Sequence, residues 1–287
     1  MGHLGRFFFV LFLCCSCSSN DSKKQGWVLV SEGVLTLENG TRIPVPAFEA
    51  AKHEVSYAEF ARFVKETGYV TTAEQKGYSY VFDPSDTLPG EKLPGYPWWK
   101  ALSGACWKKP QGKPVKMEAY FNLPVTHIAH EDALAYCAWA GARLPTEAEW
   151  EYMARLNGST EKKNVWQGAF PHVNLNEDGF AGAAPVGSFP PGELGMYDLQ
   201  GNVWEWCADV YHAGWPELAA EFPDSVRYKG PSKGYDPETP YEETRVIRGG
   251  SFLCDAGFCT GYNISQRMRT PPGQSFSHIG FRCVKEY

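Results

Sequence analysis

The sequence predicts one loop-rich domain of short helices and short strands, set behind an N-terminal export segment. Three observations lead there. The chain carries 29 Gly and 21 Pro in 287 residues, which implies many turns and little long helix. Three stretches read as helices from a capping box or apolar positions, and four short apolar runs read as strands. The remainder is irregular chain rich in Gly, Pro, Asn and Trp, and so much loop needs internal fastening by metal ions, disulfides or buried aromatics.

Taken in order, the first element is the export segment. Arg6 supplies a positive charge and Phe7 to Leu13 a short apolar core, too short to span a bilayer as a mature helix. It runs into Cys14-Cys15-Ser16-Cys17, followed by a polar run from Ser18 to Gln25. This resembles a bacterial lipoprotein signal: residues 1–17 the signal peptide with Cys17 lipidated, 18–25 a tether, 26–287 the domain. Cys14 stands where such signals have Leu; Cys15 is the alternative lipid site and plain secretion the bland reading. The protein is then expected at a membrane by its lipid, facing the periplasm or the cell surface. No other apolar stretch is long enough to cross a bilayer.

Trp27–Val30 and Val34–Leu37 read as strands. Ser56 and Glu59 form a capping box that opens a helix over 57–66, stopped by Gly68, with Tyr57, Phe60, Phe63 and Val64 as its apolar face. His130 to Ala140 is a second helix, with Leu134, Cys137 and Trp139 turned partly inward. Thr146 and Glu149 cap a third over 147–155. The Pro- and charge-rich stretch 212–243 reads as a surface insertion. Arg245–Arg248 and His278–Val284 complete the strands. The formal net charge is -6 and no Lys/Arg cluster tracks a helix face, so nucleic acid is not an expected partner.

Beyond the export segment six cysteines remain: Cys106, Cys137, Cys207, Cys254, Cys259 and Cys283. Their connectivity does not follow from counting. Cys254 and Cys259 stand out, five apart in a loop after Arg248-Gly-Gly-Ser251. The spacing is too long for a redox C-x-x-C, and no second Cys/His pair makes a zinc knuckle. Two thiolates without further soft ligands suit Cu(I). From spacing alone a local disulfide is the better reading in an exported chain.

Several blocks in order resemble the formylglycine-generating enzyme (sulfatase-modifying factor) family. They include Glu54-Val-Ser-Tyr-Ala-Glu-Phe60, Pro97-Trp-Trp99, the run from Gly141 through Arg143-Leu-Pro-Thr-Glu-Ala-Glu-Trp-Glu151, Gly201-Asn-Val-Trp-Glu-Trp206, Arg248-Gly-Gly-Ser251 and Gly280-Phe-Arg-Cys283. The resemblance spans roughly 27 to 287 and implies an α+β domain, a large irregular variant of the C-type-lectin-like fold. R-L-P-T-E-A-E-W-E and G-N-V-W-E-W mark the fold family rather than the activity. The cysteine pair is the discriminating feature, since members that oxidise sulfatase cysteines carry two cysteines at this spacing. A disulfide between them becomes the resting or oxidised state of an active pair.

The resemblance implies an oxidase that converts the cysteine of a C-x-P-x-R stretch in an unfolded sulfatase to Cα-formylglycine, with O2 and a thiol reductant. Cys254 and Cys259 are then the Cu(I) ligands, and the substrate thiol joins them. Ser251, Trp204, Arg267 and His278 fall at positions that line the family's site. For the first three there is a plainer role: a turn serine, a core tryptophan, a structural ion pair. Phe258 stands where many members have Tyr, and His278 where some have Asn; the second adds a titratable group near the copper. The extended substrate is expected beside Trp98 and Trp99. Ca2+ is the second implied cofactor, one ion at Asn164, Val165, Asp178 and Phe180, another at Asp198, Gly201, Val203 and Glu205, each set offering side-chain and carbonyl oxygens. Cys137 and Cys283 match a family disulfide, worth on the order of 4–5 kcal/mol for so long a loop. Ala154 and Ile264 occupy the positions of a second bridge found in animal members, and Cys106 and Cys207 default to buried thiols.

Two rival readings follow. One is a non-catalytic lipoprotein of the same fold with a structural or secretion role, against which the cysteine pair argues. The other is a different oxidase using a His-based iron site, for which the chain offers only His127-x-x-His130. A lectin-like sugar binder using the calcium loops is disfavoured, because the second set lies inside the G-N-V-W-E-W motif.

Overall fold

The computed structural model describes Met1 and residues 26–287. The export segment with Cys14, Cys15 and Cys17, and the tether, lie outside the described residues. Among the described residues no helix is long and apolar enough to cross a membrane.

The domain closes its own ends into one sheet. β1 (Trp27–Val30) and β12 (Val284–Glu286) both pair antiparallel with β4 (Phe48–Ala51). Lys285 lies 4.0 Å over the Trp27 ring, so the first and last strands also touch through side chains. A hairpin of β2 (Gly33–Thr36) and β3 (Arg42–Val45) follows, one residue offset from the predicted strand at its ends.

The capping boxes of Ser56 and Thr146 are formed as predicted, opening α1 (Tyr57–Thr67) and α4 (Glu147–Asn157). Tyr57, Phe60 and Phe63 are buried, with Phe60 and Phe63 packed on Tyr136 of α3 (His130–Trp139). Cys137 is buried and Trp139 half-buried against the core as expected, but Leu134 is a correction: it is 43% exposed, and Ala133 and Tyr136 complete the inward face. The N-terminal approach of α3 explains the rotation. Buried Asp132 accepts from Ala129 N–H and from Thr72 N–H, which turns that side of the helix inward. Thr72 opens α2 (Thr72–Lys76), a helix not foreseen although Thr71 and Glu74 spell the same capping box.

A three-stranded sheet of β5 (Tyr78–Phe82), β6 (Glu91–Leu93) and β7 (Tyr96–Ser103) forms one wall of the cleft described below. The central sheet runs β10-β9-β8-β11, from β8 (Trp204–Val210), β9 (Arg245–Arg248), β10 (Arg267–Thr270) and β11 (Ile279–Gly280). Its two faces divide the core. Trp204, Trp206, Ile247 and Ile279 pack with α1 and α3, while Cys207 and Val246 pack with Trp150 and Met153 of α4. α4 is buried nearly all round, and its three glutamates hold four arginines. Glu149 takes Arg143, Glu151 takes Arg248 and Arg155, and Glu147 takes Arg248 and Arg267. The acidic rhythm of E-A-E-W-E thus clamps the end of β9 and the start of β10.

The predicted strand His278–Val284 is broken in two. β11 pairs parallel with β8, and β12 leaves for the other sheet. The break lies where Arg282 turns fully inward to Glu205, at 2.6 Å, so the chain cannot stay on one sheet edge. The stretch 212–243 is docked rather than a loose surface insertion. It holds α5 (Trp215–Leu218) and α6 (Asp224–Lys229), buries Trp215 and Asp236, and ties Asp236 to Arg269.

The Cys137–Cys283 bridge implied by the resemblance is not formed. Both cysteines are buried thiols with sulfurs 3.3 Å apart, a hydrogen-bond contact rather than a bond. The hydrogen bond with Cys137, followed by burial, pushes the Cys283 thiol well up, so it stays protonated. The sulfurs need approach by only about 1 Å to bond. In protein oxidised after export, non-reducing peptide mapping is expected to recover this pair; two free thiols in such protein exclude the bridge.

Candidate active site

β9 delivers the chain to Gly249-Gly250, where it turns sharply. Gly250 has φ +74 and a Cβ there would lie 2.4 Å from Tyr262 N, so the close approach needs glycine. Two successive turns then form. Ser251 O accepts from Cys254 N at 2.9 Å, while Ser251 Oγ accepts from Leu253 N at 3.2 Å. Asp255 O accepts from Cys259 N at 3.1 Å, and Asp255 Oδ1 from Phe258 N at 2.6 Å. Asp255, unremarked in the sequence, is therefore what folds the loop between the cysteines. Cys254 and Cys259 end with Cα atoms 4.6 Å apart and are joined as a disulfide. Cys254 is buried and Cys259 half-buried, so an entering thiol meets Cys259 first.

The pair forms the floor of a cleft of about 350 Å³. Trp98, Phe170 and Phe258 make one wall: Phe258 stacks on Phe170 at 4.6 Å and meets Trp98 edge-on at 5.2 Å. Phe258 is 51% exposed, an aromatic ring held at the cleft mouth. Trp99 is buried behind this wall and packs on His278 at 4.4 Å. Trp204, Ser251 and His278 all line the cleft.

Arg267 reaches the cleft but its charge is committed elsewhere. Nε and Nη2 donate to Glu147 at 2.7 and 2.6 Å, and Nη1 to the His212 carbonyl at 2.8 Å. The plainer role weighed for it, a structural ion pair, is the one its geometry fits. Ser251 likewise serves its turn, and only its hydroxyl proton is left for the cleft.

His278 departs from the expectation of a titrating group. Burial, and then the neighbouring His127, push its imidazole down to about 3. His127 is pushed down to about 3 by burial and bonds Ser79 Oγ at 2.8 Å, and His130 bonds the Cys207 carbonyl at 3.0 Å. The two histidines of H-x-x-H thus point to separate partners. A ring that is neutral when folded and protonated when unfolded makes stability rise with pH between the two pKa values. The His278 contribution is full above about 6.5 and declines by about 1.4 kcal/mol per pH unit as pH falls toward 3. His278→Asn is expected to flatten the loss of melting temperature between pH 6.5 and 4.5 relative to the parent. Parallel profiles for the two proteins show that the ring is not held neutral.

Residues 17–287 match the sulfatase-modifying factor enzyme 1-like domain. The chain belongs to this family. It is similar to a formylglycine-generating enzyme of Thermomonospora curvata, 41% identical over 254 residues, covering 82% of this chain and 80% of the relative. It is also 34% identical over 260 residues to a mouse relative named an inactive Cα-formylglycine-generating enzyme 2, covering 84% of this chain and 76% of that one. Among solved structures, PvdO from Pseudomonas aeruginosa has the same fold, with a TM-score of 0.61 at 23% identity over 91% of this chain and 94% of that one.

The donor sets that membership implies fit the structure unequally. Asp178 keeps one carboxylate oxygen, Oδ2, buried without a partner, while Oδ1 accepts from Phe180 N at 2.9 Å. An orphaned buried carboxylate oxygen fits a hard cation. Around the second set Glu205 is fully buried and already accepts from Trp150 Nε1 at 2.8 Å and from Arg282. Asp198 accepts from Gly187 N, and Gly201 (φ +96) lies against the Asn164 carbonyl. Glu54, absent from the sequence-derived set, joins here. Its Oε2 is buried without a partner, and burial, then Asp198 and Glu205, push its carboxyl well up. Three carboxylates face one guanidinium, a surplus that a dication offsets. Among the described residues no three His, Cys, Asp or Glu side chains converge by themselves, so both sets rely on carbonyls or an amide as well.

These loops also carry the cysteines. Trp166 N donates to Cys254 O at 3.0 Å, and Phe252 N to Asn202 O at 2.9 Å. Both candidate calcium loops are therefore one hydrogen bond from the cysteine loop. The cysteine pair itself, once reduced, offers two soft donors and no competing carboxylate, which fits Cu(I).

Proposed function

We propose that this protein oxidises a cysteine of an unfolded sulfatase to Cα-formylglycine. The observation that carries the reading is the convergence of Cys254 and Cys259 at the floor of an open, aromatic-walled cleft in a chain of this family. The name of the Thermomonospora curvata relative supports it.

The net reaction balances with one O2. The substrate CH2–SH gives up two electrons to become a thioaldehyde, and a thiol reductant gives two more as it becomes a disulfide; O2 takes all four and becomes two waters, while hydrolysis of the thioaldehyde consumes one water, which supplies the aldehyde oxygen, and releases hydrogen sulfide. In the oxidised protein neither cysteine offers a thiolate, so reductant first opens the bridge, attacking the more accessible Cys259. Cys254 and Cys259 then hold Cu(I), which when bound supplies the one-electron chemistry that O2 needs. Trp98, Phe170 and Phe258 pack the extended polypeptide and exclude water, and proximity confines oxidation to one Cβ. Ser251 can give its hydroxyl proton to a thiolate or to reduced oxygen. His278 stays a neutral imidazole and carries no charge into the site. Asn164, Val165, Asp178 and Phe180, and Asp198, Gly201, Val203 and Glu205 with Glu54, hold Ca2+ as loop fasteners.

The reduced, copper-loaded protein with O2 and a thiol is expected to lower the mass of a C-x-P-x-R peptide by about 18 Da, the change from CH2–SH to CHO. The peptide with Ala for Cys stays unchanged. If the cysteine peptide also stays unchanged while the Thermomonospora enzyme converts it in parallel, the reading fails. Residues 1–17 are proposed to direct export with lipid on Cys17; palmitate labelling that survives Cys17→Ser excludes that anchor.

A further inference from the structure

A second cavity, of about 260 Å³, adjoins the cysteine cleft through the shared side chain of Arg267. The β2–β3 hairpin, one face of α4, and α5 and α6 of the docked segment bound it. Two ties hold these parts in place. Asn39 Nδ2 in the hairpin turn donates to the Pro216 carbonyl of α5 at 2.6 Å, and Arg227 Nη1 of α6 donates to the Arg42 carbonyl of β3 at 2.7 Å. The space is therefore formed before a ligand arrives. Leu35, Ile43 and Ala148 give it apolar walls, with the ring of Trp215 beside them.

The polar lining is unevenly charged. Glu147 and Glu151 are matched by Arg248 and Arg267, but no ion pair holds Glu38, Glu217 or Asp209 among the described residues. With Arg155 and Asp224, the outside partners of Glu151 and Arg227, six carboxylates stand against four guanidiniums. Glu38 and Glu217 are exposed, whereas Asp209 is only 5% exposed. Asp209 Oδ2 accepts from Glu147 N at 2.7 Å, and Oδ1 accepts from nothing among the described residues. Gly230 at the end of α6 leaves Oδ1 its room, since a Cβ there would collide with it. Burial, then Glu147, push this carboxyl well up, as expected of a buried acid to which no cation is bonded. Among the described residues no three acids converge on one point, so the set suits an organic cation rather than a bare metal ion. Trp215 indicates a cation independently of the acids, because an ammonium is drawn to an aromatic face.

We propose that this cavity binds a primary alkylammonium, with Asp209 receiving the charged head and Leu35, Ile43, Ala148 and Trp215 packing the carbon chain. The compact head brings three donors, enough for Oδ1 and a neighbouring acid together. Glu38 and Glu217, the exposed acids, attract the cation from solvent. The same head is offered by a free alkylamine and by the lysine side chain of a polypeptide.

The test uses the full-length protein with Ca2+ present throughout, so that amines do not compete at the proposed calcium loops. Ligand-observed NMR titrations compare pentylamine, pentanol and valerate, which share a chain length and differ in head group. Pentylamine is expected to bind about tenfold more tightly than pentanol, as for a charge-assisted hydrogen bond, and valerate to show no saturable binding. From propylamine to pentylamine each methylene should add about fourfold. Asp209→Asn keeps an acceptor for Glu147 N and should bring pentylamine to within about twofold of pentanol. Glu38→Gln with Glu217→Gln changes only exposed groups, and should weaken pentylamine about threefold at low salt and less at high salt. Nα-acetyl-lysine methylamide distinguishes the source. Binding as tight as that of pentylamine assigns the cavity to a lysine side chain, weaker binding assigns it to a free amine, and both support the site. Pentylamine and pentanol binding alike to the parent overturns it, as does an amine preference that survives Asp209→Asn.

Discussion

Cys254→Ser and Cys259→Ser each reduce peptide conversion to background and remove tight Cu(I) binding. Each variant leaves one thiolate at the cleft floor, and one soft donor with a serine hydroxyl does not hold Cu(I) against a competing chelator. The fold survives, because the bridge closes a loop of only five residues' separation and its loss costs about 2 kcal/mol. Three readouts separate the possibilities: competition with a chromophoric Cu(I) chelator, thermal melting, and mass analysis of the peptide. Copper affinity retained in both variants removes the central claim. Copper affinity lost with conversion retained removes copper from the reaction.

Arg282→Leu has the largest expected effect on stability. Arg282 and Glu205 are both fully buried and bonded at 2.6 Å. Removing the guanidinium leaves Glu205 facing Glu54 and Asp198 without the charge that is bonded to it. An orphaned buried charge of this kind costs about 3–5 kcal/mol, a fall of roughly 10 °C for a domain of this size. A dication beside Glu54, Asp198 and Glu205 replaces part of the lost positive charge, so added Ca2+ is expected to raise the melting temperature more in the variant than in the parent. Equal calcium responses indicate that the second set does not hold the ion. An unchanged melting temperature indicates that the pair is not the fastener of β8 to the β11–β12 crossing.

The helices show which features are legible without coordinates. The boxes at Ser56 and Thr146 are local hydrogen-bond patterns, complete within four residues, and they form where read. The box at Thr71 is equally local, but its helix is only five residues long and shows no helical period to mark it. The cysteine pair is legible for the same reason as the boxes: five residues apart in a turn-rich loop, it can converge with little help from the rest of the chain. Leu134 escapes sequence reasoning because α3 lacks a clear apolar stripe, and its rotation is set by Asp132 reaching α2, a contact across 60 residues.

What the sequence by itself determined is the set of short-range elements, the loop-rich α+β class, the cysteine pair and, through ordered motifs, the family. Each depends on residues close in the chain or on a pattern read as a string. What only the tertiary structure decided is the work each polar residue does. Arg267 reads equally as a site residue or an ion pair until Glu147 is seen beside it. His278 reads as a titrating group until its burial is known. Glu54 reaches Asp198 and Glu205 by folding alone. The physical reason is common to all three. Charge state and ligand geometry depend on desolvation and on partners distant in the chain, and neither quantity is written in local sequence.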